Sequence, residues 1–362
     1  MALANLHKNI YTKSDRIMQT NFEKIIDGQE ISLFHLQNGK LKMTVTNYGA
    51  KIVSLFVPDK NGNSEDVVLG FETIDDYLTK EPFFGAVCGR FANRIRKGNF
   101  DLEGKSYHLA VNNGVNHLHG GIKGFNDMVW NVELADDNQL TLSYFSEDGE
   151  EGYPGNLNVT VTYELTEDNE LKIHYQATTD KTTIINLCQH SFFNLKGAGN
   201  GNIEDHELMV NADFYTPLDE TQAPVGEIRM VDNTLMDFRT PVKVSERINA
   251  DFDQFTYGRG IDNNWVVKKQ QAHDLALAAA LHEPKSRRLM EVFTTHPGIQ
   301  VYSGNWIENH TGKYGKKYDV RYAICLEAQG FPASPNYAQF PSPVLHPDEN
   351  YDEICIYKFS IK

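Results

Sequence analysis

The 362-residue chain has only four cysteines, Cys88, Cys188, Cys325 and Cys355, and no two are close in sequence. A CxxC redox or zinc motif is therefore excluded. Three of the four lie in apolar runs (GAVCG, NLCQH, AICLE), where a thiol behaves as a small core side chain. A reducing, cytoplasmic compartment is the expectation. No apolar stretch approaches the length of a membrane-spanning helix, and MALANLHKNIYTKSDRIM has no apolar segment of the secretory type. Basic residues are in deficit, 34 Lys and Arg against 49 Asp and Glu, for a formal charge of −15. Such a surface repels phosphate backbones and anionic lipid, so neither nucleic acid nor a membrane is an expected partner. A P-loop, a nucleophile elbow and an HExxH helix are all missing. The Gly-rich run GAGNGN at 197–202 has no βαβ context to make it a nucleotide loop.

What is present is alternation. Leu157, Val159, Val161, Tyr163 and Leu165 alternate with polar residues, the turn TEDNE follows, and Leu171, Ile173, Tyr175 and Ala177 resume the pattern. This predicts a hairpin with one face inward. Leu41, Met43 and Val45 begin a similar strand, whereas KIVSLFV after Gly49 is apolar on both faces, as between packed sheets. Further strands are expected at 140–145, 289–295, 299–303 and 353–361. HDLALAAALHEP has helical propensity, but Leu275, Leu277, Ala279 and Leu281 also alternate and strands flank it, so it is read as β. No linker rich in Pro, Gly or Ser divides the chain. The fold class expected is all-β: one large antiparallel sandwich over 22–362, after a polar extension at 1–21.

Five clusters of polar residues sit beside turn-like or Gly-rich breaks, where sites gather on a rigid β scaffold. GRFANRIRKG carries Arg90, Asn93, Arg94 and Arg96; its bland reading is a solvated basic turn. NHLHGG places His117 and His119 on one side of an extended chain, a conceivable metal pair that lacks the further ligands a site needs. Its two glycines permit close approach and favour a pocket role for His119, leaving His117 structural. NLCQHSFFNL centres on His190, either a hydrogen-bonded core histidine or a proton donor and acceptor near neutral pH. GRGIDNNWVV holds Asp262, for which an Asx-turn is the ordinary explanation. In AICLEAQGFP, Glu327 ends an apolar strand, where a carboxylate needs a partner or a raised pKa, and the latter suits a general base.

Taken in order, these clusters resemble the galactose mutarotase (aldose 1-epimerase) family. So do ADFYTPLDE at 212–220, MDFRTP at 236–241, TTHPGIQVYSGN at 294–305 and NYAQFPSPVL at 336–345. The resemblance runs over nearly all of 22–362. It implies a sandwich of many antiparallel strands with an open sugar cleft, acting on a free aldohexose without a cofactor or metal. By the same resemblance Glu327 is the general base for the anomeric hydroxyl and His190 the general acid for the ring oxygen. His119 and Arg94 would hydrogen-bond the sugar, Asn93 would share their loop, and Asp262 would hold outer hydroxyls. Two positions depart from the family pattern: Asn263 stands where His is frequent, and His296 where Gln is frequent. Both departures are expected to bear on hexose preference rather than on the acid–base pair.

Three other readings compete. A hexose 6-phosphate epimerase would need extra cations for the phosphate. A non-catalytic sugar binder could use the 40 aromatic residues for stacking but needs neither His190 nor Glu327. A metal-dependent β-barrel enzyme would need a third ligand beside His117 and His119. Whether the chain is a monomer or a homodimer is not legible. Ring opening needs one proton removed and one delivered, and no Lewis acid. Dialysis against a strong chelator is therefore expected to leave activity intact; a loss that added zinc restores would overturn this.

Overall fold

The computed structural model describes residues 17–79 and 83–362, and over them the chain is built from strands with a few short helical turns. Nine strands form the broadest sheet among the described residues. Its middle runs Gln139–Ser146, Leu157–Leu165, Glu170–Thr179, Tyr351–Ile361, Arg288–Thr294 and Ala276–His282, each antiparallel to the next. The expected hairpin is there, with Leu165 opposite Leu171 and Val161 opposite Tyr175. Its alternating residues are buried on one face and partly exposed on the other.

The ambiguous HDLALAAALHEP segment is a strand, Ala276–His282, as read. A register shift between Leu277 and Ala279 breaks the simple alternation. Leu275 is consequently half exposed while Ala278 and Ala279 are both buried. A bulge inserts one residue on one side of the ladder, and a period-two pattern cannot anticipate it.

Two further sheets cover the inner face. One is four-stranded: Leu33–Asn38, Leu41–Thr46, Lys51–Pro58 and Ser64–Asp66. Residues 51–57 are buried on both faces, as KIVSLFV requires. The other is five-stranded, in the order Arg229–Met230, Phe214–Thr216, Asp262–Val266, Gly298–Tyr302 and Cys325–Gln329. Ile52, Leu55, Val161, Tyr175, Val292, Ile299, Val301, Leu326 and Tyr357 belong to one continuous apolar core. That is the interior of a β-sandwich.

The expected extension at 1–21 falls mainly outside the described residues. Ile17 is buried in a second apolar cluster with Phe22, Phe71 and Tyr77. None of the four cysteines forms a disulfide, and all are buried. No helix among the described residues is long and apolar enough to cross a membrane.

One buried ion pair ties a late loop to the first sheet. Lys313 is fully buried, and its Nζ reaches Asp66 Oδ2 at 2.5 Å and the Val68 carbonyl at 2.9 Å. Removing one partner of such a pair strands the other charge in the core. Lys313→Ala is expected to cost about 3–5 kcal/mol in urea unfolding, with Asp66→Asn costing less; a loss under ~1 kcal/mol, typical of a surface change, would contradict it.

Candidate active site

The five-stranded sheet is two-faced, and this is what builds the site. Trp265, Ile299, Val301, Leu326 and Ala328 point into the core. The residues alternating with them, Asp262 and Asn264, Gln300 and Tyr302, Cys325 and Glu327, share the opposite face. Register sets Asp262 beside Tyr302, and Asn264, Gln300 and Glu327 abreast across three strands. His190 ends a short strand, Cys188–His190, paired with Ala86–Cys88. Its imidazole Nε2 lies 3.7 Å from Glu327 Oε1.

Two loops close over this face. In the first, Asn93 has φ 63°, and in the second His119 has φ 50°, both in the left-handed region. Such strain is held only where surroundings over-determine it, and it gathers at functional sites. The loops grip one another: His119 N–H donates to the Asn93 carbonyl, and Asn93 N–H donates to His119 Nδ1, each at 3.1 Å. A Cβ on the next residue, Gly120, would come within 1.8 Å of the Gly89 carbonyl oxygen, so only glycine permits this approach.

The result is a cleft of about 570 Å³, lined by Asn93, Arg94, His119, His190, Asp262 and Glu327, with Phe83, Phe192, Tyr302 and Trp306 as aromatic walls. The size suits a small ligand. Phe192 stacks on His190 with centroids 4.8 Å apart. Arg94 is buried rather than solvated. Its guanidinium donates to Asn113 Oδ1 at 3.0 Å and Gln222 Oε1 at 2.6 Å, and sits 3.7 Å from Asp262 Oδ2. Gln300 Nε2 donates to the other Asp262 oxygen at 2.7 Å.

Burial sets the proton positions. It pushes Glu327 up to about 8, and the nearby Asp262 charge adds to this, against a weak Cys188 thiol hydrogen bond and Arg94. Burial pushes His190 down to about 4. Asp262 is raised by burial, though Arg94 and Gln300 oppose it. His119 is held well below the ordinary imidazole value by burial, then by His190 and Arg94. A neutral His119 that accepts at Nδ1 carries its proton on Nε2, and so offers a donor. With nothing bound, the pair thus holds its shared proton on Glu327, with His190 neutral. The raised Glu327 is what a carboxylate at the end of an apolar strand is expected to show, because both groups are sealed from the water that would stabilise their charges.

The sequence pattern of the Aldose 1-epimerase family matches residues 32–358. The chain belongs to that family. It is 42% identical to the galactose mutarotase of Homo sapiens over 336 residues, 92% of this chain and 95% of the relative. It is 33% identical to the aldose 1-epimerase of Escherichia coli K12, over 92% and 96%. The solved GalM/aldose epimerase homologue from C. elegans superposes with a TM-score of 0.85 at 30% identity, covering 91% of this chain and 99% of its own.

All six residues singled out in the sequence, Asn93, Arg94, His119, His190, Asp262 and Glu327, meet in the one cleft. Their neighbours are structural, although Arg90 is buried rather than part of a solvated basic turn. Both ring nitrogens of His117 are engaged, Nδ1 with the Ala110 carbonyl at 2.7 Å and Nε2 with the Tyr153 hydroxyl at 2.6 Å. Arg90 binds the carbonyls of Pro154 and Gly155. Neither departure from the family pattern lines the cleft: Asn263 alternates away from Asp262 and meets Gln254, and His296 packs against Tyr175 and Tyr351. Any bearing of Asn263 on the cleft would run at second hand, through the Asp262 N–H that donates to its Oδ1 at 3.4 Å. Missed in the sequence were Gln222, Asn113, Tyr302 and Gln300. Gln300 and Tyr302 lay within TTHPGIQVYSGN, but only strand pairing sets them beside Glu327 and Asp262.

Folded Glu327 keeps its proton between the ordinary 4.5 and about 8, so the folded state binds more protons than the unfolded chain there and loses stability as pH rises through that window. Glu327→Gln keeps the shape without the charge. It should match the wild type near pH 4 and exceed it above pH 8, by at most roughly 5 kcal/mol. A stability gap that does not change with pH in urea unfolding would remove the buried acid.

Proposed function

We propose that the chain interconverts the α and β anomers of free aldohexoses such as galactose and glucose, with Glu327 and His190 as its acid–base pair. The observation that carries this is their 3.7 Å separation on the floor of a cleft that also gathers Arg94, His119 and Asp262. The chain is an isomerase by family. Four thiols buried without a disulfide favour a cytoplasmic setting for it. The boundaries proposed are a single mutarotase-like domain over 22–362.

In ring opening, Glu327 takes the proton from O1 while His190 delivers one to O5. The hemiacetal C1–O5 bond breaks and C1 becomes an aldehyde. Rotation about C1–C2 presents its other face, and closure returns both protons. Opening starts from carboxylate and imidazolium and ends with both groups neutral. The neutral pair is the state that burial favours. The proton passing through the sugar thereby moves from a weak to a strong site, worth roughly 5 kcal/mol for values of about 4 and about 8. That gain only returns what charging the pair from its neutral resting state first costs, so ring opening brings the site back to the protonation state that burial favours. The His119 N–H and the Arg94 guanidinium supply fixed donors to the sugar oxygens, in a site where water does not compete. Asp262, anchored by Gln300, is placed to accept from outer hydroxyls.

The competent enzyme carries one proton on the pair. The kcat/KM profile is therefore bell-shaped, falling below about 4 as His190 gains a second proton and above about 8 as Glu327 loses the only one. This reverses the usual attribution, in which the carboxylate governs the acidic limb. Polarimetry with α-D-galactose should show both limbs. Glu327→Gln and His190→Asn should each lose at least ~10²-fold in kcat, and the double variant little more than the worse single one. Near-normal kcat in folded Glu327→Gln would defeat the assignment, and rates no better than buffer on galactose, glucose, xylose and arabinose would defeat the activity.

A further inference from the structure

Cys325 is two residues from Glu327 on the same strand, so the two side chains share a face. Cys325 does not line the cleft; it lies buried just behind the pair, in an apolar cluster with Phe84, Phe192 and Tyr318. One donor atom each from His190, Cys325 and Glu327 lies within 4.8 Å of the other two. His190 Nδ1 is buried without a hydrogen-bond partner. A second sulfur, Cys188 Sγ, stands 3.5 Å from the other Glu327 oxygen. An imidazole, a thiol and a carboxylate form the mixed set that selects a thiophilic borderline cation over magnesium or calcium.

We propose that His190, Cys325 and Glu327 form a three-ligand site for Zn²⁺ or a similar thiophilic dication, whose binding reversibly switches off the acid–base pair. Zinc bonds of about 2.0–2.3 Å would set the donors roughly 3.3–3.8 Å apart, so the three atoms need to close by about an ångström, within reach of side-chain rotation. The fourth tetrahedral position opens on the cleft, where water or a sugar hydroxyl completes the shell. A dication between a carboxylate and a thiolate cancels two charges that this buried site would otherwise resist. The Cys325 thiol proton and the proton held on Glu327 both leave to solvent on binding. With its lone pairs on the metal, Glu327 cannot take the O1 proton and His190 cannot carry one to O5. The site is inhibitory, so it is compatible with catalysis that survives chelation. Ion binding does not rest on the acid–base reading above; only its effect on turnover does.

The experiment titrates the reduced, metal-free full-length chain with CoCl₂ by absorption spectroscopy, and with ZnCl₂ during galactose mutarotation by polarimetry. A thiolate-to-cobalt band should appear at one equivalent and vanish as Zn²⁺ displaces Co²⁺. Zn²⁺ should slow mutarotation, and EDTA should restore it. Cys325→Ser should lose the band and weaken Zn²⁺ inhibition by more than ~10-fold, a loss that even outer-shell changes produce at metal sites, while keeping its metal-free rate. Cys325→Ala, checked by thermal unfolding, serves if the serine variant does not fold. No band in the wild type, a band without inhibition in an active enzyme, or a band and inhibition that persist in the Cys325 variants would each overturn the site. A band in a protein without mutarotation would support the site and sink the activity instead.

Discussion

A carboxylate removed from water must be paired, protonated or compensated, and Glu327 is only 2% exposed. Its neighbours supply just a thiol at 3.5 Å and an imidazole at 3.7 Å, neither of them a full counter-charge. The carboxyl answers by holding a proton to about pH 8, and His190 answers the same burial by giving one up. Much of the site follows from this constraint. Arg94 is held by Asp262, Asn113 and Gln222 rather than paired with Glu327, which leaves the Glu327–His190 pair as the place where a proton can move. A stronger cation beside Glu327 would fix the carboxylate and remove its ability to trade protons with a sugar.

The sheet that carries the pair is also part of the core, so stability and chemistry share the same strands. Leu326 and Ala328 pack inward while Glu327 between them faces the cleft. A one-residue slip of the Cys325–Gln329 strand would put Glu327 into the core and Leu326 into the site. Pairing along five residues with Gly298–Tyr302 guards that register. The broad nine-stranded sheet behind it supplies the apolar area against which register is enforced.

The two loops that complete the cleft hold their shape through each other. Asn93 and His119 occupy left-handed backbone, and two reciprocal hydrogen bonds join them. The second of these bonds also selects the His119 tautomer, so a backbone restraint decides which ring nitrogen can donate to a ligand. Arg96 extends the arrangement: its 2.7 Å ion pair with Asp219 anchors the segment that delivers Gln222 to Arg94.

Much of this was legible in the chain itself, because strands write their two faces into alternate residues. The hairpin at 157–177, the doubly buried KIVSLFV and the β character of 276–282 follow from period-two patterning and flanking context, and the six cleft residues follow from motifs carried in family order. The bulge near Ala278 was not legible, since an inserted residue leaves no mark in a pattern of small apolar side chains. Nor was the alliance of Gln300 with Asp262, which depends on strands 38 residues apart, nor the seclusion of Asn263 and His296 from the cleft. Composition and motif determined which side chains could carry protons. The tertiary structure decided where the protons rest, because only the packing around Glu327 and His190 excludes the water that would have kept both of them charged.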